Sequence, residues 1–135
     1  MLFKRVQYTA SGQEIPGKSS VGTGLIGNVV IASKTTDANH TITVAEMAGG
    51  VIYYSALSAG RTVTTPTAAL MLAAAPDMDI GDTFMLIVSI QDAFAITWAA
   101  GTNVTLDGRT TTPASSNSII VVEKTSATTV KWTVL

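Results

Sequence analysis

The sequence offers few side chains for acid–base or metal chemistry. It contains one histidine, His40, and no cysteine. His40 falls in a segment typical of a turn, with Asp37, Ala38 and Asn39 before it, so we expect a solvent-exposed turn histidine. A catalytic imidazole needs an orienting carboxylate and a nucleophile, and no such residues stand at a recognisable spacing from it. The sequence therefore predicts no enzyme built on histidine.

A short acidic segment is the second candidate. Asp77, Asp79 and Asp82 surround Gly81, and a turn could converge their carboxylates on a hard cation such as calcium. The EF-hand spacing and its closing glutamate are missing, and Asp82 also suits the turn before a strand. A structural turn is the favoured interpretation. A calcium site, or a small hydrolase using these carboxylates, stays open as the alternative.

Residues 22–27 match the pattern G-x-G-x-x-G of dinucleotide-binding proteins. That pattern binds a pyrophosphate only where a strand precedes it and a helix begins within it. Here polar residues precede the glycines and the β-prone residues 28–31 follow them, so no helix is expected. We interpret the segment as a flexible glycine linker and expect no cofactor.

Composition narrows the class of protein further. Only 13% of the 135 residues are charged, and the formal net charge is −1, so nucleic acid is not an expected partner. The longest apolar run, residues 68–75, is far short of the roughly 20 residues of a membrane span. Threonine and serine are abundant, with 21 and 11 residues, and threonine together with valine and isoleucine favours pleated sheet.

The chain divides into two parts. Residues 1–27 hold five of the eleven glycines and little bulky apolar content, which predicts an extended N-terminal arm. The alternative is an ordinary edge strand at 3–9. Residues 28–135 form the expected domain.

Within that domain the pattern predicts about eight short strands. Strand 41–46 should point Ile42 and Val44 inward, and strand 82–90 should be buried on both faces, because it is almost continuously apolar. Three hairpins are expected: one joins strand 82–90 to the strand at 94–98, one turns at Asp107-Gly108, and one joins 119–122 to 129–134. The single expected helix lies near 66–75, capped by Thr65 and ended by Pro76. The expected fold is all-β, a β-sandwich or jelly-roll-like barrel.

Several stretches resemble a β-domain of tailed-bacteriophage virions, found in capsid decoration (cement) proteins and head-fibre domains. These stretches are residues 66–70, 79–84, 96–97, 99–106 and 130–135. They carry a short helix, a Gly-Asp-led apolar strand, an Ala-Gly-Thr turn and a closing aromatic strand.

The resemblance implies a non-enzymatic virion protein, made in the host cytoplasm. Such a protein would be a homotrimer on the capsid exterior, with the major capsid protein as its partner. Trp98 and Trp132 are expected in the core, with a subunit interface as the alternative. The predicted capsid or subunit contacts are Phe3, Lys4, Arg5, Tyr8 and Trp98. The alternative function is a receptor- or carbohydrate-binding domain of a phage head or tail fibre, which would place aromatic side chains on exposed loops.

Overall fold

The computed structural model describes the backbone of two N-terminal strands and the whole of residues 29–135. The strands are β1 (Lys4–Tyr8), β2 (Glu14–Val21), β3 (Val30–Lys34), β4 (His40–Thr41), β5 (Gly50–Tyr54), β6 (Arg61–Thr64), β7 (Thr83–Ile90), β8 (Ile96–Ala99), β9 (Val104–Gly108), β10 (Thr111–Thr112), β11 (Asn117–Lys124) and β12 (Val130–Val134). The helices are α1 (Val44–Ala48) and α2 (Ala68–Ala74).

The domain is a sandwich of two mixed sheets, which confirms the all-β prediction. The larger sheet has six strands in the order β3-β5-β7-β11-β12-β9. Its strands β3, β5 and β7 run parallel, β11 and β12 are antiparallel neighbours, and β9 is parallel to β12. The smaller sheet has the order β10-β8-β6-β4. The β-branched residues of the chain therefore build two separate sheets.

The core lies between the two sheets. Trp98 on β8 and Trp132 on β12 meet there with ring centroids 5.5 Å apart, and both are almost fully buried. Around them lie aliphatic side chains that alternate along each strand, among them Ile52, Leu86 and Ile120. The core role predicted for the two tryptophans is confirmed. Since Trp98 is only 4% exposed, the contact role also predicted for it is wrong.

A buried chain of hydrogen bonds links the two sheets. The indole Nε1 of Trp98 donates to Thr112 Oγ1 over 3.0 Å, and that hydroxyl donates to Ser118 Oγ over 3.0 Å. Thr112 belongs to the small sheet and Ser118 to the large one, and both are buried. Because buried polar groups are costly when unpaired, this chain fixes how the sheets face each other.

The predicted helix near 66–75 is confirmed as α2, although its cap differs. Thr67 caps the helix, and its hydroxyl accepts the backbone N–H of Leu70. Thr65 is instead buried, and its hydroxyl accepts the N–H of Gly101 over 2.9 Å. Gly101 fits there because a side chain would collide with the backbone oxygens of Thr65 and Pro66.

The structure also contains a helix that the sequence pattern did not predict. The expected strand 41–46 is wrong beyond Thr41, because α1 begins at Val44. Thr43 and Glu46 form a capping box, in which the Thr43 hydroxyl accepts the Glu46 N–H and the Glu46 carboxylate accepts the Thr43 N–H. This reciprocal pair satisfies backbone donors that a helix start otherwise leaves free.

Two of the three predicted hairpins are wrong. β7 lies in the large sheet and β8 in the small one, and the same holds for β9, which ends with Asp107 and Gly108, and for β10, which follows them. Gly108 has a φ of 74°, as the turn signal requires, but it leads the chain from one sheet to the other. The third hairpin, β11 with β12, is confirmed as an antiparallel pair.

The N-terminal strands form a pair of their own. β1 runs antiparallel to β2, with Lys4 opposite Val21 and Tyr8 opposite Glu14. The predicted arm, residues 1–27, contains both strands, and its division from the domain stays a prediction. Phe3 and the glycine pattern at 22–27 lie outside the described residues.

Candidate functional site

The outer face of the large sheet is open and carries a row of apolar side chains. Ile31, Val51, Ile87 and Ile119 stand side by side on β3, β5, β7 and β11, each opposite the next in register. Ile31 is 60% exposed, Ile87 44% and Ile119 46%. Strand 82–90 was predicted to be buried on both faces, and this is wrong. Within residues 29–135, only its inner face is covered, and Met85 and Ile87 on its outer face are exposed.

Further apolar side chains widen this row. Met85, 62% exposed, lies one step along β7 and faces Val121 on β11. Leu135 follows β12, and its N–H donates to the carbonyl of Ile119 over 3.0 Å. A soluble monomer rarely leaves several large aliphatic side chains together in water, so such a patch marks an interaction site.

Polar rows flank the apolar row on both sides. One row consists of Ser33, Tyr53, Ser89 and Asn117. The other consists of Thr83, Glu123, Lys131 and Thr105. We call the two polar rows, together with the apolar residues between them, the open face.

Two of the charged side chains on the open face pair with each other. Lys131 Nζ lies 2.6 Å from Glu123 Oε2. The hydrogen bond to Glu123, together with the charge of that carboxylate, raises the pKa of the Lys131 ammonium. The pair keeps this end of the face polar without giving the face a strong charge of either sign.

A methionine-lined groove lies at one end of the sandwich, between α1, α2 and the start of β7. It has a volume of about 780 Å³. Its lining includes Met47, Met71, Met78 and Phe84, and Met85 joins it to the open face. Methionine side chains adapt easily to different shapes, so this groove extends the apolar surface around the end of the sheet.

The acidic segment beside the groove forms a turn. Asp82 Oδ2 accepts the backbone N–H of Asp79 over 2.9 Å, and Gly81 has a φ of 95°. The backbone of Gly81 and Asp82 also bonds with that of Lys124, which fixes the turn to the end of β11. Within the described part of the chain, no group of three or more histidine or carboxylate side chains could hold a metal ion.

His40 does not sit in a solvated turn as predicted. It is half-buried on β4, with Nδ1 3.3 Å from the carbonyl oxygen of Ala38 and Nε2 2.9 Å from the Tyr54 hydroxyl. Because a carbonyl only accepts, Nδ1 is the donor to Ala38, and Nε2 and the Tyr54 hydroxyl share the second hydrogen bond. Burial, and then the charge of Glu46, raises the pKa of the Tyr54 phenol. The pair therefore acts as a structural link between the sheets.

The remaining predicted contact residues lie on the N-terminal strand pair. Lys4, Arg5 and Tyr8 belong to β1, and the structure describes their backbone alone. The apolar row of the open face was missed by sequence reasoning. Its signal was present in β7, where apolar residues occupy both faces, but that pattern also fits a strand covered on both sides.

Comparisons with known proteins add no family to this description. No family model matches the chain, and no characterised protein or solved structure is significantly similar to it. Among the described residues, neither helix has the length and apolar character needed to cross a bilayer.

Proposed function

We propose that the chain is a structural virion protein, a capsid decoration protein that binds the outer surface of a phage head and stabilises it. The observation that carries this proposal is the open face, a broad sheet surface with exposed aliphatic side chains and little charge. Such a surface is suited to being covered in an assembly rather than to facing water. The resemblance to decoration and head-fibre domains is the reason for proposing a phage head as that assembly.

The proposal includes a homotrimer with the N-terminal arm as its main contact to the shell. Three copies in one particle would each present an arm, so that modest individual contacts add up to tight attachment. Lys4 and Arg5 give the arm two adjacent cations, and Phe3 and Tyr8 give it aromatic anchors. The partner would be the major capsid protein.

The alternative, a receptor- or carbohydrate-binding domain, receives less support. Such sites present aromatic side chains on loops, whereas Tyr54, Trp98 and Trp132 are buried between the sheets. Within residues 29–135, Phe94 is the aromatic residue that lies on an exposed loop, and it is 39% exposed.

Co-sedimentation with purified, undecorated tailed-phage capsids tests the proposal. The chain should pellet with the capsids and raise the temperature at which they disrupt. The double variant Lys4→Glu/Arg5→Glu should bind at least about tenfold more weakly, because the arm would lose both of the adjacent cations proposed to contact the shell. Lys18→Glu, which alters a cation elsewhere in the arm, is the matched control. A wild-type chain that stays in the supernatant would overturn the proposal.

A further inference from the structure

We infer that the open face is covered by a second copy of this chain, so that it is the contact between subunits and not the surface that meets the shell. The inference names what covers the surface that the proposed function uses. It rests on the proposed function only in taking the assembly to be a phage particle. Residues 1–28 of the same chain and a foreign protein are the other possible occupants. Three properties of the face favour a copy.

The first property is size. Six strands at about 4.8 Å spacing and about six residues at about 3.3 Å rise give a face of roughly 600 Å². A standard stable interface takes about 800 Å² of surface from each partner. The open face, with β3 included, thus supplies most of that area.

The second property is charge. Glu123 and Lys131 pair within the face, so the face has no strong field that calls for a partner of opposite sign. A partner with a strongly charged surface would gain little and would lose hydration. Asp107 on β9, which lies opposite Thr133, adds one exposed carboxylate near Lys131. An identical face carries the same three charges, so a copy brings no strong field to the contact.

The third property is the arrangement of polar groups. The hydroxyls of Ser33, Tyr53 and Ser89 can each donate or accept a hydrogen bond, as can those of Thr83 and Thr105 on the opposite flank. When the apolar rows of two copies pack together, hydroxyls on either side can pair with whichever groups they meet. A surface of this kind is complementary to itself, so two copies that meet face to face form a two-fold pair, and the threefold contact of the proposed function lies elsewhere on the chain.

The test compares two isoleucines of similar chemistry in the full chain. Ile87 lies at the centre of the open face, and Ile80 lies off it on a loop, 67% exposed. Light scattering on a size-exclusion column should give the wild type a mass that is an even multiple of 14.0 kDa. Ile87→Lys should weaken the face-to-face contact at least about 100-fold and halve that mass, because it places an unpaired ammonium in an apolar contact. Ile80→Lys should leave the mass unchanged.

A second measurement covers the case in which Ile87→Lys disturbs folding. The chain has no cysteine, so Ile87→Cys and Ile80→Cys each carry one thiol. Maleimide should react with the thiol at position 87 at least about tenfold more slowly at concentrations where copies associate than at high dilution. The thiol at position 80 should react at one rate throughout.

The possible outcomes separate the two proposals. A monomeric wild type, or an oligomer that Ile87→Lys leaves intact with position 87 freely reactive, overturns the inference. A thiol at position 87 protected even in a monomer assigns the face to residues 1–28 and overturns it as well. Dimers broken by Ile87→Lys support the inference while contradicting the trimer. Failure of the wild-type oligomer to bind capsids overturns the proposed function alone.

Discussion

Removal of the Thr112 hydroxyl tests whether the buried hydrogen-bond chain fixes the packing of the two sheets. Thr112→Val keeps the size of the side chain and removes its oxygen. The Trp98 indole then loses its acceptor and Ser118 loses its donor, and both residues are buried. Since each of these two buried unpaired groups costs about 1–3 kcal/mol, the free energy of unfolding should fall by about 2–6 kcal/mol. That is a large share of the roughly 5–15 kcal/mol that stabilises a typical domain.

Urea denaturation followed by tryptophan fluorescence measures this change, because both tryptophans report on the core. Thr112→Ser is the matched control, since it keeps the hydroxyl and loses one methyl group, at a cost of about 1 kcal/mol. In a Trp98→Phe background the indole donor is already gone, so Thr112→Val should cost about 0.5–3 kcal/mol less than in the wild type. Equal losses for the valine and serine variants would refute the reasoning.

Three further predictions concern the core and the first helix. Trp98→Phe should lower the free energy of unfolding by about 1 kcal/mol more than Trp132→Phe. The reason is that Trp98 donates a hydrogen bond, whereas the buried Trp132 Nε1 has no partner within the described residues. Equal urea midpoints for the two variants would contradict this. Thr43→Ala should cost about 1 kcal/mol in the same assay by removing the cap of α1, and a loss below about 0.3 kcal/mol would show the cap to be unimportant. Burial raises the pKa of Glu46, but hydrogen bonds from Lys34 and Thr43 outweigh it, so the net pKa lies below its usual 4.5. The stability that Glu46 adds relative to Glu46→Gln should therefore be fully present above pH 4.5 and should disappear as the pH falls through the lowered pKa. A stability difference that grows in acid would contradict the lowered pKa of Glu46.

The open face explains why the sequence combines few charged residues with many serine and threonine residues. A surface with so few charges needs other groups to stay hydrated, and the serine and threonine rows beside the apolar row provide them. These hydroxyls keep the sheet compatible with water before assembly, and they can form hydrogen bonds after it. A single surface can therefore serve both the free chain and the assembled one.

Much of the secondary structure followed from local sequence. α2 was predictable because Pro66 and a run of alanine and leucine are strong local signals. The β11–β12 hairpin was predictable because two β-branched runs flank a short polar turn. α1 was missed because the alternation of Ile42 and Val44 imitates a strand, and the capping box of Thr43 and Glu46 was the competing signal that prevailed.

The pairing of strands was not predictable in the same way. A turn such as Asp107-Gly108 fixes the local backbone, yet it does not determine whether the next strand continues the same sheet or crosses to the other. That choice depends on the burial of residues distant in sequence, since Val104 and Thr112 both reach the core from opposite sheets. Likewise, His40 acquired its partner Tyr54 only when β4 and β5 faced each other across the sandwich.

The sequence by itself therefore determined the class of this protein: a β-rich domain with one histidine, no cysteine and a weakly charged surface. Those properties depend on residue types and local spacing. Tertiary structure alone decided which side of β7 meets water, because alternation cannot tell a covered apolar face from an open one. The absence of a covering layer within residues 29–135 turned Ile87 from an expected core residue into part of a surface, shared with Ile31 and Ile119, that another molecule can bind.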